Sequence, residues 1–119
     1  MLLVFDIGNS HIVAGVYRGD TLIADWRLAT DRQKTADEYG VLVKNLFYFK
    51  NLAIDQVKAA VISSVVPPLT NLFEEFMAKY FKVAALVVGP GMKTGLSPGR
   101  WAPTGWSMRW PGSSYTVRP

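Results

Sequence analysis

Leu2-Leu3-Val4-Phe5-Asp6-Ile7-Gly8-Asn9-Ser10 is the stretch that decides the fold. Its apolar residues 2–5 predict a buried strand that leads directly into a polar turn. A second apolar run, residues 12–17, follows at once, so we predict a strand–turn–strand hairpin. In the turn, Asp6 can hold a hydrated Mg²⁺ or orient phosphate groups, and Gly8 lets a phosphate approach the backbone because it has no Cβ. Ordinary tight turns use the same residue types, so both interpretations stay open on this stretch alone.

The composition indicates one folded domain. The chain has 119 residues, half of them hydrophobic, and no cysteine, which excludes disulfides, thiolate metal sites and cysteine nucleophiles. The opening apolar run is too short for a membrane span and lacks the basic start of a signal peptide, so we expect a cytoplasmic protein without a membrane partner. The net charge is +4, and the basic residues form no stripe interleaved with aromatics, so nucleic-acid binding is not expected.

Three further strands are predicted from short apolar segments. Residues 21–28 alternate apolar and polar side chains, and short turns connect this strand to the hairpin in an antiparallel arrangement. Residues 59–64 and 84–88 are apolar runs separated by a helical segment, which favours a parallel pair. On the third strand we expect one face to hold Leu22, Ala24, Trp26 and Leu28.

Two helices are predicted between these strands. Thr35 and Glu38 have the spacing of a capping box, which starts a helix that runs to about residue 50. Pro67 and Pro68 begin the second helix, because proline in the first turn needs no N–H bond, and this helix ends at residues 79–82. The expected apolar faces are Tyr39, Leu42, Val43, Leu46, Phe47 and Phe49 in the first helix and Leu69, Leu72, Phe73, Phe76 and Tyr80 in the second.

Asp6-Ile7-Gly8-Asn9-Ser10 resembles the first phosphate motif of the acetate and sugar kinase, Hsp70 and actin superfamily. Further stretches resemble one branch of it, the type III pantothenate kinases, in the family's order. The resemblance implies an α/β fold: an RNase H-like, actin-type half-domain whose mixed sheet begins with antiparallel β-hairpins and carries helices packed on it. These stretches are Thr30-Asp31-Arg32 with Thr35-Ala36-Asp37-Glu38-Tyr39, Ser63-Ser64-Val65-Val66-Pro67-Pro68, and Gly89-Pro90-Gly91-Met92-Lys93-Thr94-Gly95-Leu96.

The resemblance also implies an activity: ATP-dependent phosphorylation of the primary hydroxyl of pantothenate, the first step of coenzyme A synthesis. Mg²⁺, a monovalent cation (K⁺ or NH₄⁺) and a homodimer are expected with it, and Asp6 is the expected metal-binding residue. The alternatives are a non-catalytic accessory regulator from a related branch and a structural fragment that binds no ligand. The implied ATP-binding residues are Asp6, Ile7, Gly8, Asn9, Ser10, His11, Ile12 and Val13, and the implied pantothenate-binding residues are Gly89, Pro90, Gly91, Lys93, Thr94 and Gly95.

Three residues near these motifs have plainer interpretations. His11 is the single histidine, and we expect it to order the backbone or to be exposed rather than to catalyse. Asp37 lies in the first turn of a helix, where an acid interacts favourably with the helix dipole. Lys93 follows a Gly/Pro-rich stretch and, without the resemblance, would be a solvated lysine in a turn.

Residues 97–119 differ from the rest in composition, with three of the four tryptophans, four of the seven prolines and no acidic residue. The family's Gly-Ala-Asp-Arg motif, whose aspartate is its general base, is absent from the chain, so no catalytic residue is assigned. One possible coding of that motif and the residues after it, read one base later, gives residues 102–111. We therefore expect residues 1–96 to be a kinase half-domain, inactive by itself, and residues 97–119 to be an irregular, out-of-frame, disordered tail. A genuine disordered extension is the alternative.

Overall fold

The structure, a computed structural model, describes residues 1–19 and 21–88 and the backbone of two short strands further on. Five strands form one sheet in the order β3-β2-β1-β4-β5, and β6 pairs with β7 separately. The elements are β1 (Leu2–Ile7), β2 (His11–Arg18), β3 (Thr21–Ala29), α1 (Ala36–Phe49), β4 (Ala59–Ser64), α2 (Pro67–Phe76), β5 (Ala85–Val88), β6 (Ser107–Arg109) and β7 (Thr116–Arg118).

The strand pairing confirms the predicted mixed sheet. β1, β2 and β3 are antiparallel neighbours, whereas β4 is parallel to both β1 and β5. The turn between β1 and β2 therefore lies at the same edge of the sheet as the carboxyl end of β4. At this edge Asp6 is in register with Val13 on one side and with Ser63 on the other.

Helix α1 begins as predicted. Glu38 N–H donates to Thr35 Oγ1 over 3.1 Å, and Thr35 N–H donates to Glu38 Oε1 over 3.0 Å, which completes the capping box. Asp37 has a structural role, because it accepts hydrogen bonds of 2.7 Å from both Lys79 Nζ and Tyr80 Oη. Those bonds hold the pKa of Asp37 below its usual range and join α1 to the segment that follows α2.

Helix α2 starts at Pro67 and continues beyond Phe76 as a π-helical turn, Met77–Phe81. Lys82 ends it in the left-handed conformation, with φ of 58°. This confirms the predicted end at residues 79–82. Among the described residues, no helix is long and apolar enough to cross a membrane.

The core lies between the sheet and the two helices. Phe73 is fully buried and meets the rings of Phe5, Tyr39 and Phe76 at centroid distances of 4.9, 4.9 and 4.8 Å. Leu3 and Phe5 lie on the face of β1 that belongs to this core, while Leu2 and Val4 are buried on the opposite face. Burial on both faces explains why β1 reads as a continuous apolar run.

Two predicted core positions are wrong. Phe49, at the end of α1, is 79% exposed and stacks edge-on against exposed Tyr48, because it lies two residues from buried Phe47 and so points to the opposite side of the helix. Leu22 is 39% exposed, whereas Ile23 packs against the core. An irregularity in the β2–β3 register between Val16 and Tyr17 shifts the alternation at this end of β3, which a strict two-residue period does not anticipate.

Candidate phosphate-binding site

The turn between β1 and β2 consists of Gly8, Asn9 and Ser10. Gly8 N–H donates to His11 C=O over 2.9 Å and closes the hairpin. A Cβ built on Gly8 would lie 3.2 Å from that same carbonyl oxygen, closer than most real contacts. Glycine therefore keeps the turn narrow, and the side chains of Asn9 and Ser10 remain exposed at its tip.

Thr30, the residue after β3, supports this turn from one side. Its hydroxyl donates to Gly8 C=O over 2.8 Å, and its N–H donates to Ser10 C=O over 3.0 Å. The sequence placed Thr30 in a family motif but assigned it no role. Nothing in the local spacing indicates a contact between residues so far apart along the chain, because the contact arises from the antiparallel pairing of β2 with β3.

The residues after Thr30 are anchored by Tyr39. Asp31 N–H donates to Tyr39 Oη over 2.9 Å, and Tyr39 Oη donates to Asp31 C=O over 3.0 Å. Tyr39 is fully buried, and burial raises the pKa of its hydroxyl although the bond with the Asp31 backbone acts in the opposite direction. From this fixed segment Arg32 reaches the turn, where its Nη2 donates to Asn9 Oδ1 over 3.1 Å. A cationic side chain thus lies beside the turn.

The sequence placed Ser63 in a family motif but did not identify it as a residue of the site. Residues in register on parallel strands project to the same face, so the Ser63 hydroxyl and the Asp6 carboxylate lie on one side of the sheet. Ser63 is 2% exposed, and its hydroxyl has no hydrogen-bond partner within the described part of the chain. Burying an unpaired hydroxyl costs free energy, so a bound water or ligand oxygen at this position would stabilise the site.

Ser64 has a structural role. Its Oγ accepts from Val66 N–H over 2.9 Å and donates to Val66 C=O over 3.1 Å, which shapes the entry into α2. Val65 N–H also donates to Ile7 C=O over 3.0 Å, so the carboxyl ends of β1 and β4 are tied together. The second half of the family motif at residues 63–68 thus fixes the edge where the candidate site lies.

The other predicted ATP-binding residues differ in which of their atoms are accessible to a ligand. Ile7 and Ile12 are fully buried in the core, so only their backbone atoms are available to a ligand. Val13 is half-buried beside Asp6, and His11 is exposed at the start of β2, where its carbonyl orders the turn. The predicted pantothenate-binding residues 89–95 lie outside the described residues. Within the described ranges, no group of three or more His, Cys, Asp or Glu side chains could enclose a metal ion.

The model of the type III pantothenate kinase family matches residues 2–104. The chain belongs to this family. A type III pantothenate kinase from Geobacter sulfurreducens is 53% identical over 96 residues, which cover 81% of this chain and 38% of that protein. One from Brevibacillus brevis is 57% identical over 97 residues, again 38% of its length. The predicted family is confirmed, and the chain spans 38% of the length of these relatives.

Solved structures confirm the predicted fold. The ROK hexokinase from Thermus thermophilus superimposes with a TM-score of 0.56 at 11% sequence identity, over 74% of this chain and 34% of that one. A structure assigned as an N-acetylglucosamine kinase from Porphyromonas gingivalis gives 0.55 at 10% identity, over 75% of this chain and 34% of that one. At such low identity the likeness concerns the fold alone.

Proposed function

We propose that residues 1–88 are the phosphate-holding half of an ATP-dependent pantothenate kinase. The observation that carries this proposal is the supported turn Gly8–Ser10 beside Asp6, in a chain of the type III pantothenate kinase family. Transfer of a phosphoryl group depends mainly on positioning and on charge stabilisation. A fixed turn with a neighbouring carboxylate and a neighbouring arginine supplies parts of both.

In this proposal the nucleotide phosphates lie against residues 6–13. The N–H groups of Asn9 and Ser10 donate to no backbone carbonyl among the described residues, so in this proposal they bind phosphate oxygens. The exposed side chains of Asn9 and Ser10 add donors at the same place, whereas Ile7 and Ile12 contribute backbone only. His11 shapes the turn through its carbonyl.

The residues at this edge also fit a hydrated Mg²⁺. Mg²⁺ prefers oxygen ligands, keeps several of its waters, and is often held by one or two carboxylates together with substrate phosphates. Asp6 would supply the carboxylate, and the buried Ser63 hydroxyl would accept a hydrogen bond from a water of the ion. When bound, the ion would neutralise phosphate charge.

We further propose that pantothenate binds against residues 89–95 and that the kinase acts as a cytoplasmic homodimer. A monovalent cation, in this proposal, binds in the part of the family's structure that this chain does not match. The chain matches 38% of its relatives' length, and the family's general-base motif is absent from its sequence. Efficient transfer needs a positioned base and a closed cleft. We therefore expect negligible turnover from the 119-residue chain alone. Residues 97–119 remain, in our proposal, an out-of-frame reading of the kinase gene.

A chimaeric enzyme tests this function. Residues 1–96 would replace the 96 matched residues of the Geobacter sulfurreducens kinase, and phosphorylation of pantothenate by ATP would be measured. We expect activity in the chimaera, a loss of about 100-fold or more in kcat/KM for Asp6→Asn, and none in the 119-residue chain. An inactive but folded chimaera would contradict the proposal. So would family-like turnover by the short chain.

A further inference from the structure

Thr30 makes two hydrogen bonds to one three-residue turn. Its hydroxyl binds Gly8 C=O at 2.8 Å, and its N–H binds Ser10 C=O at 3.0 Å. We propose that Thr30 is a positioning residue, which presets the turn so that the N–H of Asn9 faces a bound phosphate. This inference rests on the function proposed above and concerns a residue that does not itself touch the ligand.

The geometry of the peptide bond gives the physical reason. In a trans peptide unit the C=O and N–H bonds point in opposite directions, and the described chain contains no cis peptide. When Thr30 holds Gly8 C=O on its own side, the N–H of Asn9 in the same unit must point away from Thr30. The turn then directs a carbonyl oxygen away from the anion and an N–H donor towards it.

The support is rigid enough to act on the turn. The backbone next to Thr30 is fixed by the hydrogen bonds between Asp31 and buried Tyr39, and Asp31 Oδ1 also accepts from Gln33 N–H over 2.9 Å. Arg32 reaches from the same segment to Asn9 and orients that side chain. A donor that is held in place before the ligand arrives lowers the cost of ordering the site on binding.

The Thr30 hydroxyl is not needed to hold β3 in the sheet. β3 pairs with β2 along its whole length through backbone bonds, and the N–H of Thr30 extends that pairing. The hydroxyl adds one bond, and that bond goes to the turn. Its removal should therefore change the turn more than it changes the fold.

The first arm of the test uses the 119-residue chain and inorganic tripolyphosphate, followed by amide chemical shifts of residues 8–10. Thr30→Val keeps the size and the N–H bond but removes the hydroxyl, and we expect the affinity to fall about fivefold to tenfold. Thr30→Ser keeps the hydroxyl and should restore most of it. Thr70→Val is the matched control, because the Thr70 hydroxyl likewise donates to a backbone carbonyl, that of Val66, but in α2.

The second arm places the same substitutions in the chimaeric kinase. A hydroxyl that positions the ATP phosphates should, when removed, raise KM for ATP and lower kcat without changing KM for pantothenate. A merely structural loss would reduce the amount of active enzyme and leave both KM values unchanged.

Three results would overturn the inference: wild-type affinity in Thr30→Val, no restoration by Thr30→Ser, or no shift in the turn of the unmodified chain. If the chimaera is active and the Thr30→Val substitution changes neither its kcat nor its KM for ATP, the inference fails and the proposed function stands. If the chimaera with unmodified residues 1–96 is folded and inactive, the proposed function itself fails.

Discussion

Phe5 and Asp6 are neighbours in β1, yet they lie in regions that are held together by different forces. The Phe5 ring is fully buried against Phe73 and Phe76 at centroid distances of 4.9 and 5.7 Å. Asp6 projects to the other face, next to a turn that is held by hydrogen bonds from Thr30 and Arg32. Burial of apolar area stabilises the first region, whereas directed polar contacts shape the second.

The difference indicates how the half-domain divides stability from function. Aromatic rings between the sheet and α2 can be exchanged only at a cost in packing, because interiors are close-packed. The turn instead leaves donors unused by the fold, which makes it available to a ligand and contributes little to stability. The exposed residues Asn9 and Ser10 of the turn should therefore tolerate substitution structurally while losing binding.

The largest expected effect comes from the aromatic region. Phe73→Ala removes a fully buried ring that contacts three others, and we expect a loss of about 3–5 kcal/mol in the free energy of unfolding. Asn9→Ala, at the exposed tip of the turn, should change it by less than about 0.5 kcal/mol. Denaturant unfolding of the 119-residue chain measures both. Equal losses in the two variants would erase the contrast between the regions.

A smaller effect is expected where α1 meets the π-helical turn. Alanine in place of a helical glycine usually stabilises by about 0.5–1 kcal/mol, but a Cβ on Gly40 would lie 2.5 Å from the Tyr80 ring. We expect Gly40→Ala to destabilise by about 1–2 kcal/mol, because the Tyr80 ring must move and lose its bond to Asp37.

The matched control for Gly40 is the same substitution in a Tyr80→Ala background, where the ring is absent. There Gly40→Ala should become stabilising, as measured by denaturant unfolding of all four variants of the cycle. If Gly40→Ala is stabilising in the presence of Tyr80, the close approach of the two elements is not as the structure has it.

The smallest effect concerns the face of the sheet that also carries Asp6. Tyr17 is 1% exposed, its hydroxyl has no partner among the described residues, and burial, with Asp25 nearby, raises its pKa to about 12. In the unfolded state the pKa of tyrosine is about 10, so the folded state holds the hydroxyl proton more tightly. The contribution of this difference to the free energy of unfolding is therefore fully present below pH 10 and is lost as the pH rises from about 10 to 12. Tyr17→Phe should remove part of that loss and change stability at pH 7 by less than about 1 kcal/mol.

Unfolding free energies at pH 7 and pH 11 would measure the Tyr17 effect. Tyr39, whose pKa burial also raises, should account for some of the loss that remains. Tyr48→Phe, which removes the hydroxyl of an exposed side chain, is the matched control. If the free energy of unfolding falls as much between pH 7 and pH 11 in Tyr17→Phe as in the unmodified chain, this hydroxyl is not shielded from water.

Much of the fold could be predicted from local sequence. The capping box at Thr35, the prolines that start α2 and the apolar runs of the strands each act over a few residues, so they can be recognised without knowing the tertiary structure. The same holds for Gly8 and Asp6, because a glycine-containing polar turn after a buried strand is a local pattern. Leu22 was predicted wrongly because a register irregularity depends on the neighbouring strand, and Phe49 because the apolar face of α1 was drawn too wide around buried Phe47.

The sequence by itself determined the family, the hairpin and the position of the turn that we propose to bind phosphate. Only the tertiary structure brought Thr30 and Arg32, from the segment after β3, to that turn and Ser63, from β4, beside Asp6, since these contacts arise from strand pairing. A periodic pattern shows which face of an element is apolar, but it does not specify the partner of a polar side chain. Hydrogen bonds need distances near 3 Å and suitable directions, and these are set only when the strands are in register.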